Sequence, residues 1–427
     1  MAYFDNAATT FPKPKDVYDF MNEFYRSCAG NAGRGSYSQA ANSAALTEET
    51  RKLLLHLFHA PSRQVIFTPS ATIALNMIIQ GLLAKALGYG APLVLRNEVR
   101  RMTVREARNS RPAERQGTPN EKFTVYISPF EHNAVTRVLS AYKDVIQIKI
   151  LPVTKELDYD FEKMKREFED EKPDFVIVSH ASNVIGFISP VEKIFSLSKK
   201  YGAITVLDMA QTAGLVDISL ASEIFDFVVF AGHKTLYGPT GIGGFVMKKE
   251  CALPAVLFGG TGFESESQRM PESLPERFEA GTQNILGIAG LNASLKWISG
   301  IGLDALRKKE SENRKRLLEI FSNYDFVRVV GNQENAEGNK GNKDGEDFVG
   351  IVSIVFDEAT GIASDSAGRI FAERNISVRS GLQCAPFAHQ FLRTLPAGTV
   401  RFSGSYFTAE EDFEEAERAM REIEGEI

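Results

Sequence analysis

An apolar run, Phe227-Val228-Val229-Phe230, passes directly into Ala231-Gly232-His233-Lys234, so a strand would deliver one lysine to a glycine-softened turn. Burial penalises the ammonium form, and a lysine that gives up its proton can form an imine. A His-Lys pair alone would equally describe a surface lysine just past a strand. A second run, Ala203-Ile204-Thr205-Val206-Leu207, ends on Asp208 and is followed by Gln211. A carboxylate held at a strand end suits the protonated nitrogen of a pyridine ring. Lys234 and Asp208 together suggest pyridoxal 5′-phosphate (PLP), whose aldehyde a lysine holds and whose ring is an electron sink.

Two further segments could serve the same site. Thr68-Pro69-Ser70-Ala71-Thr72 stands where a strand hands over to a helix, and free backbone N–H groups with Ser and Thr hydroxyls there suit a phosphate. Taken alone, Ser70 reads as an ordinary N-cap. His132, in Pro129-Phe130-Glu131-His132-Asn133, could stack on a pyridine ring and move protons, or simply open a helix.

The elements that must position these groups follow from periodicity. Runs at Gln64–Thr68, Thr124–Ile127, Phe175–Val178, Ala203–Asp208 and Phe227–Phe230 alternate with helical patterns, and Gly243–Met247 closes the series. The pattern predicts an α/β fold with a mostly parallel sheet between helices. In such sheets ligands gather at the carboxyl ends of the strands, where Ser70, His132, Asn183, Asp208 and Lys234 all fall. From about Phe258 the pattern changes to glycine-punctuated loop, then helices near Gly287–Ser299 and Leu303–Phe321, then a smaller α+β unit. Thr408 with Glu411 predicts a capping box for a last helix whose stripe is Phe413, Ala416, Met420 and Ile423. The expected division is a large domain over 15–257 and a small domain formed by 1–14 with 258–427. Two insertions interrupt it: an arginine-rich stretch at about 88–122, read as a solvated arm rather than a docking site, and a polar stretch at about 331–347, expected to be disordered.

With 427 residues, 43% hydrophobic and 24% charged, the chain can bury a core, and its net charge of −6 gives no reason to expect nucleic acid or anionic membrane as partner. There is no basic N-terminal segment followed by an apolar stretch and no window of about 18 apolar residues, so a cytoplasmic protein is expected. Cys28, Cys251 and Cys384 are too few and too scattered for a disulfide framework or a metal cluster.

Asp5-Asn6-Ala7-Ala8-Thr9-Thr10, Glu131-His132, Ser182–Gly186, Asp208–Gln211, Gly232-His233-Lys234, Phe278–Thr282 and Arg379-Ser380-Gly381-Leu382-Gln383-Cys384-Ala385-Pro386, in this order, resemble the cysteine desulfurases of the class V aminotransferase superfamily. The resemblance spans nearly the whole chain apart from the insertions. It implies a fold-type-I PLP enzyme in which Lys234 holds the cofactor and shuttles protons. It also implies that Asp208 keeps the pyridine nitrogen protonated, Gln211 and Asn183 face the phenolate oxygen, and His132 stacks on the ring. Ser70, Ala71, Thr72 and His233 would hold the phosphate, with Thr282 reaching over from the second subunit of a homodimer. Arg401 would clamp the substrate carboxylate, helped by Arg379.

By the same resemblance Cys384 attacks the sulfur of bound L-cysteine, leaving a persulfide for a sulfur-acceptor protein and releasing alanine. Arg379 or an imidazole such as His132 would favour the thiolate that this attack requires. A buried cysteine acting as a small hydrophobe is the plainer reading of Cys384, and the one adopted for Cys28 and Cys251. Departures from the family pattern are Ala231 where a hydroxyl residue is common, Tyr37 in place of a histidine, Met209 in place of a small residue, and the arginine-rich insertion. The alternatives are a selenocysteine lyase or another class V aminotransferase-type enzyme, and a catalytically silent scaffold of the same fold.

Overall fold

The computed structural model describes residues 1–32, 35, 37–87, 122–250, 252–331 and 347–427. The arginine-rich stretch and most of the polar stretch, with Cys251, lie outside the described residues. Among the described residues seven strands form the main sheet: β2 (Gln64–Thr68), β3 (Phe123–Ile127), β4 (Ile146–Ile150), β5 (Phe175–Ser179), β6 (Ile204–Asp208), β7 (Phe227–Ala231) and β8 (Gly243–Met247), in the order β2-β8-β7-β6-β5-β3-β4. All neighbours pair in parallel except β8, which is antiparallel to both β2 and β7. Two antiparallel pairings in succession return β2 to the direction of β7. Thr68, Ile127, Ser179, Asp208 and Ala231 therefore all end at one edge.

The pleat explains why β7, buried on both faces, is apolar at every position. Phe227 and Val229 join a core beneath α3 (Ala71–Ala86) and α4 (Asn133–Ser140), while Val228 and Phe230 join the core on the opposite face. That second face is covered by α2 (Ser38–Leu57), α5 (Phe161–Asp170), α6 (Val191–Lys200) and α7 (Ile285–Ile301). With α1 (Lys15–Ser27), α2 packs directly against α7. Each fully buried Val, Leu or Phe on these faces contributes roughly 1.5–3 kcal/mol relative to exposure.

A third core gathers Ala2 and Phe4 with α8 (Leu303–Ser322), α9 (Ser364–Glu373), α11 (Glu410–Glu426) and a four-stranded antiparallel sheet. That sheet runs β12 (Arg379–Gly381), β13 (Thr399–Ser403), β10 (Ile351–Phe356), β9 (Val327–Val329). The chain's beginning, β1 (Ala2–Tyr3), pairs in parallel with β11 (Ile376–Ser377). A short helix α10 (Pro386–Phe391) follows the Cys384 turn.

Two features lie outside the expected pattern, and one expectation needs correction. The strand β4, Ile-Gln-Ile-Lys-Ile, is missing from the predicted series because an edge strand keeps only part of its face apolar. The closing strand β8 is antiparallel. The expected capping box does not form: α11 starts one residue further on, where Asp412 accepts the Ala409 N–H at 2.9 Å, whereas Thr408 Oγ1 accepts the Ser405 N–H at 2.8 Å. Among the described residues no helix is long and apolar enough to cross a membrane.

Candidate active site

The shared strand edge opens onto a cavity of about 250 Å³ lined by Ser70, Ala71, Thr72, His132, Asn183, Asp208, Gln211, His233, Lys234, Arg379, Cys384 and Arg401. Every candidate site residue from the sequence is there except Thr282. Thr282 is exposed in a separate groove with Thr68, Pro69 and Gly281.

Lys234 follows β7 in a turn fixed from outside the sheet. The Thr10 N–H and hydroxyl donate to the His233 carbonyl at 3.0 and 3.2 Å, and the same hydroxyl lies 2.9 Å from the Lys234 carbonyl. Burial lowers the pKa of the Lys234 ammonium to about 8, against the raising effect of Asp208. Arg401 adds to the lowering. A free amine is therefore available near neutral pH.

Asp208 ends β6, and its Oδ1 accepts the Ala210 N–H at 2.9 Å. Burial raises its pKa, so the ionised form gains from a cationic neighbour in the cavity. Gln211 is held by donation from Nε2 to the Ala7 carbonyl at 3.0 Å.

His132 meets both of its sequence readings. Its Nδ1 accepts the Ala134 N–H at 3.0 Å and so caps α4, while the ring lines the cavity. Burial takes its pKa down to about 4, aided by Lys234, so the neutral ring carries its proton on Nε2. In this position the ring is a hydrogen-bond donor with a flat apolar face.

Ser70 caps α3, its Oγ accepting the Ile73 N–H at 3.3 Å, which turns the first amides of the helix toward the cavity. Gly243 stands against them. A Cβ there would come within 3.0 Å of the Ala71 nitrogen and 3.1 Å of the Ser70 carbonyl carbon. Ala231, buried at the end of β7, lines the cavity without offering it a hydroxyl.

The small unit supplies the other wall. Arg379 and Arg401 are direct cross-strand partners on β12 and β13. The Arg401 Nη1 donates to the Asn183 carbonyl at 2.9 Å and Nη2 to Asp5 Oδ1 at 2.8 Å. The exposed Cys384 stands on a turn in which Gln383 and Cys384 both adopt left-handed backbone, with φ of 41° and 57°.

Buried polar atoms around the cavity bear on its fit to PLP. Asn183 Oδ1, His233 Nδ1 and Arg401 Nε are all buried without a hydrogen-bond partner among the described residues, and each belongs to a residue of the cavity lining. Native interiors leave few such atoms, so three around one cavity mark where a polar ligand completes the structure. A helix N-terminus at one end, a carboxylate at another and an amine between them match a phosphate, a pyridinium and an aldehyde. The residues fit the group.

Sequence reasoning assigned no role to Asp5, Lys13, Gln383 or His389. Lys13 donates from Nζ to the His233 carbonyl and to Thr10 Oγ1, both at 2.9 Å, and burial lowers its pKa to about 8. Asp5 and Gln383 lie inside motifs already singled out. Nothing in sequence spacing could have paired residue 5 with residue 401.

An α/β sheet with an amine and a carboxylate at adjacent strand ends, facing a helix N-terminus, defines an enzyme of the kind that works on amino groups through an aldehyde cofactor. The chain belongs to the class-V aminotransferase family, whose model matches residues 2–98 and 110–416. A probable cysteine desulfurase of Pyrococcus abyssi is 28% identical over 419 residues, covering 96% of this chain and 91% of the relative. Another, of Methanothermobacter thermautotrophicus, is 27% identical over 428 residues, covering 99% and 94%. The apo structure of a cysteine desulfurase from Thermococcus onnurineus superposes with a TM-score of 0.81 at 27% identity, over 99% of this chain and 95% of that one.

Proposed function

We infer that this protein is a PLP-dependent cysteine desulfurase that converts L-cysteine to L-alanine and leaves a persulfide on Cys384. One observation carries the reading: an exposed cysteine shares a cavity with the Lys234 amine, the Asp208 carboxylate and two arginines. The relatives named above support it.

PLP, when bound, supplies an aldehyde that condenses with amines and a ring that takes up an electron pair from the substrate. The α3 N-terminus with Ser70, Ala71, Thr72 and His233 holds the phosphate, and the unpartnered His233 Nδ1 is available to it. Asp208 pairs with the ring nitrogen, while Gln211 and Asn183 face the phenolic oxygen. His132, its ring oriented by the cap to Ala134, would pack against the pyridine ring. Lys234 carries a proton to and from the substrate Cα on Nζ.

The substrate carboxylate is held by Arg401, whose Nε has no partner among the described residues, with Arg379 alongside. Cys384 Sγ then forms a bond to the substrate sulfur as the bond from that sulfur to Cβ breaks. The electron pair stays on the carbon fragment, which takes up protons and leaves as alanine. The Cys384 persulfide passes its outer sulfur to an acceptor protein. The working enzyme is a homodimer in which Thr282, exposed beside Thr68 and Pro69, reaches the phosphate of the opposite copy.

Mass spectrometry of the protein after exposure to L-cysteine tests this. One additional sulfur should map to the peptide holding Cys384, with L-alanine formed in parallel. Cys384→Ala should lower alanine release by about 10³-fold while keeping the visible cofactor band. Undiminished turnover of L-cysteine by Cys384→Ala would remove the persulfide step and favour a lyase without a cysteine nucleophile.

A further inference from the structure

We propose that His389, acting through Gln383, is a positioning residue that holds Cys384 at the cavity. The inference rests on the reading of Cys384 as nucleophile. Gln383 and Cys384 sit at φ of 41° and 57°, a region that costs non-glycine residues roughly 1 kcal/mol or more each, so something must hold them there. Carbonyl contacts do part of this. Asn183 Nδ2 donates to the Gln383 carbonyl at 2.7 Å and the Asn133 N–H to the Cys384 carbonyl at 2.7 Å.

The Gln383 side chain does the rest from the opposite side. Its Nε2 donates to the carbonyls of Arg379 and Thr399 at 3.2 and 3.0 Å, which fixes the amide orientation and leaves Oε1 as acceptor. Oε1 lies 2.8 Å from His389 Nε2, so that nitrogen must donate, and the Thr399 hydroxyl donates to the same oxygen at 3.2 Å. His389 Nδ1 then accepts the Thr394 hydroxyl at 2.7 Å. The imidazole is fully buried and is held neutral by that burial, which suits the one-donor, one-acceptor arrangement. Every polar atom of both side chains is used, and neither ring nitrogen reaches the cavity. His389 therefore acts on the reaction only through where Cys384 stands.

The test uses the PLP-loaded full chain and His389→Leu, with His389→Gln as the variant that keeps an amide donor toward Gln383. His389→Leu should lower kcat for alanine release by about 100-fold, the order expected for a nucleophile misplaced by an ångström. The L-cysteine concentration that half-saturates the spectral change on substrate binding should stay within about twofold, since the groups that bind substrate are untouched. His389→Gln should recover most of the loss. Independently of cofactor, hydrogen exchange of the 381–386 peptide should quicken by about tenfold in His389→Leu. Thr394→Val, which removes only the hydroxyl on Nδ1, should move both readouts in the same direction and covers the case of a poorly folded leucine variant. A folded variant with kcat within twofold, no rescue by glutamine, or unchanged exchange would overturn the proposal. If the unsubstituted protein released no alanine, the nucleophile reading would fall while the exchange measurement still decided the tether.

Discussion

The two walls of the cavity are built on opposite principles. On the large-sheet side, Asp208 and Lys234 stand at or just past the ends of adjacent strands whose residues are buried on both faces, so their spacing is inherited from the sheet. On the other side, Cys384 sits in a left-handed turn between β12 and α10, kept in place by hydrogen bonds from Asn133, Asn183 and the Gln383 side chain. The first wall needs no strain to hold its groups; the second is strained and tethered. Under the proposed function the difference would match the work of each wall, since a cofactor would be held through every turnover whereas a sulfur-carrying thiol would also have to meet an acceptor.

The comparison can be broken most severely at Lys234. Lys234→Ala should abolish alanine release, a loss of about 10⁴-fold or more, and erase the visible imine band of the purified protein. A normal band in that variant would place the cofactor elsewhere. Asp208→Asn should cost about 10²-fold in kcat, read in the same assay.

The rigid wall also predicts a pH profile. Reconstitution of the apo protein with PLP needs the neutral Lys234 amine, so its rate should rise through about pH 8 and level off above. Asp208 raises the lysine pKa, so Asp208→Asn should move this rise to lower pH. A shift to higher pH would contradict the assignment.

The frame behind that wall is tested by Arg51→Met. Arg51 pairs bidentately with the buried Glu279 at 2.9 and 2.7 Å, and Glu279 also accepts the Phe67 N–H of β2 at 2.7 Å. Removing the guanidinium strands a buried carboxylate and should cost about 3 kcal/mol in urea unfolding.

At Glu131 the effect is read as a pH dependence of stability. Burial pushes its carboxyl up to about 8, against hydrogen bonds from Ser128 and Ser179. A folded pKa above the unfolded value of 4.5 gives stability that is present at low pH and lost as pH rises through about 8. Glu131→Gln lacks that loss, so its Tm should gain on the unsubstituted protein between pH 5 and pH 8.

The rigid wall was also the legible one. Strand ends carry their chemistry in short contiguous segments, so Phe227–Lys234 and Ala203–Gln211 announce a lysine and a carboxylate without any knowledge of the fold. The edge strand β4 escaped because its burial is incomplete, and the direction of β8 escaped because hydrophobic pattern does not encode polarity of pairing. The strained wall was readable only through the resemblance carried by Arg379–Pro386. His389 and Asp5 were silent because their partners are set by tertiary contact: one turns back on Gln383 within its own turn, the other spans almost the entire chain to Arg401.

That span has a kinetic side. Asn6 donates to the Ser403 carbonyl across 397 positions, β1 pairs with Ile376–Ser377, and Thr10 braces the Lys234 turn. Ala2, Phe4, Asp5 and Asn6 thus find lasting partners among residues 375–403. Such distant closures are slow, because the loop entropy is lost before the contacts form. Competence to grip a cofactor should accordingly be among the final events of maturation, well after the central sheet has acquired its protection from solvent.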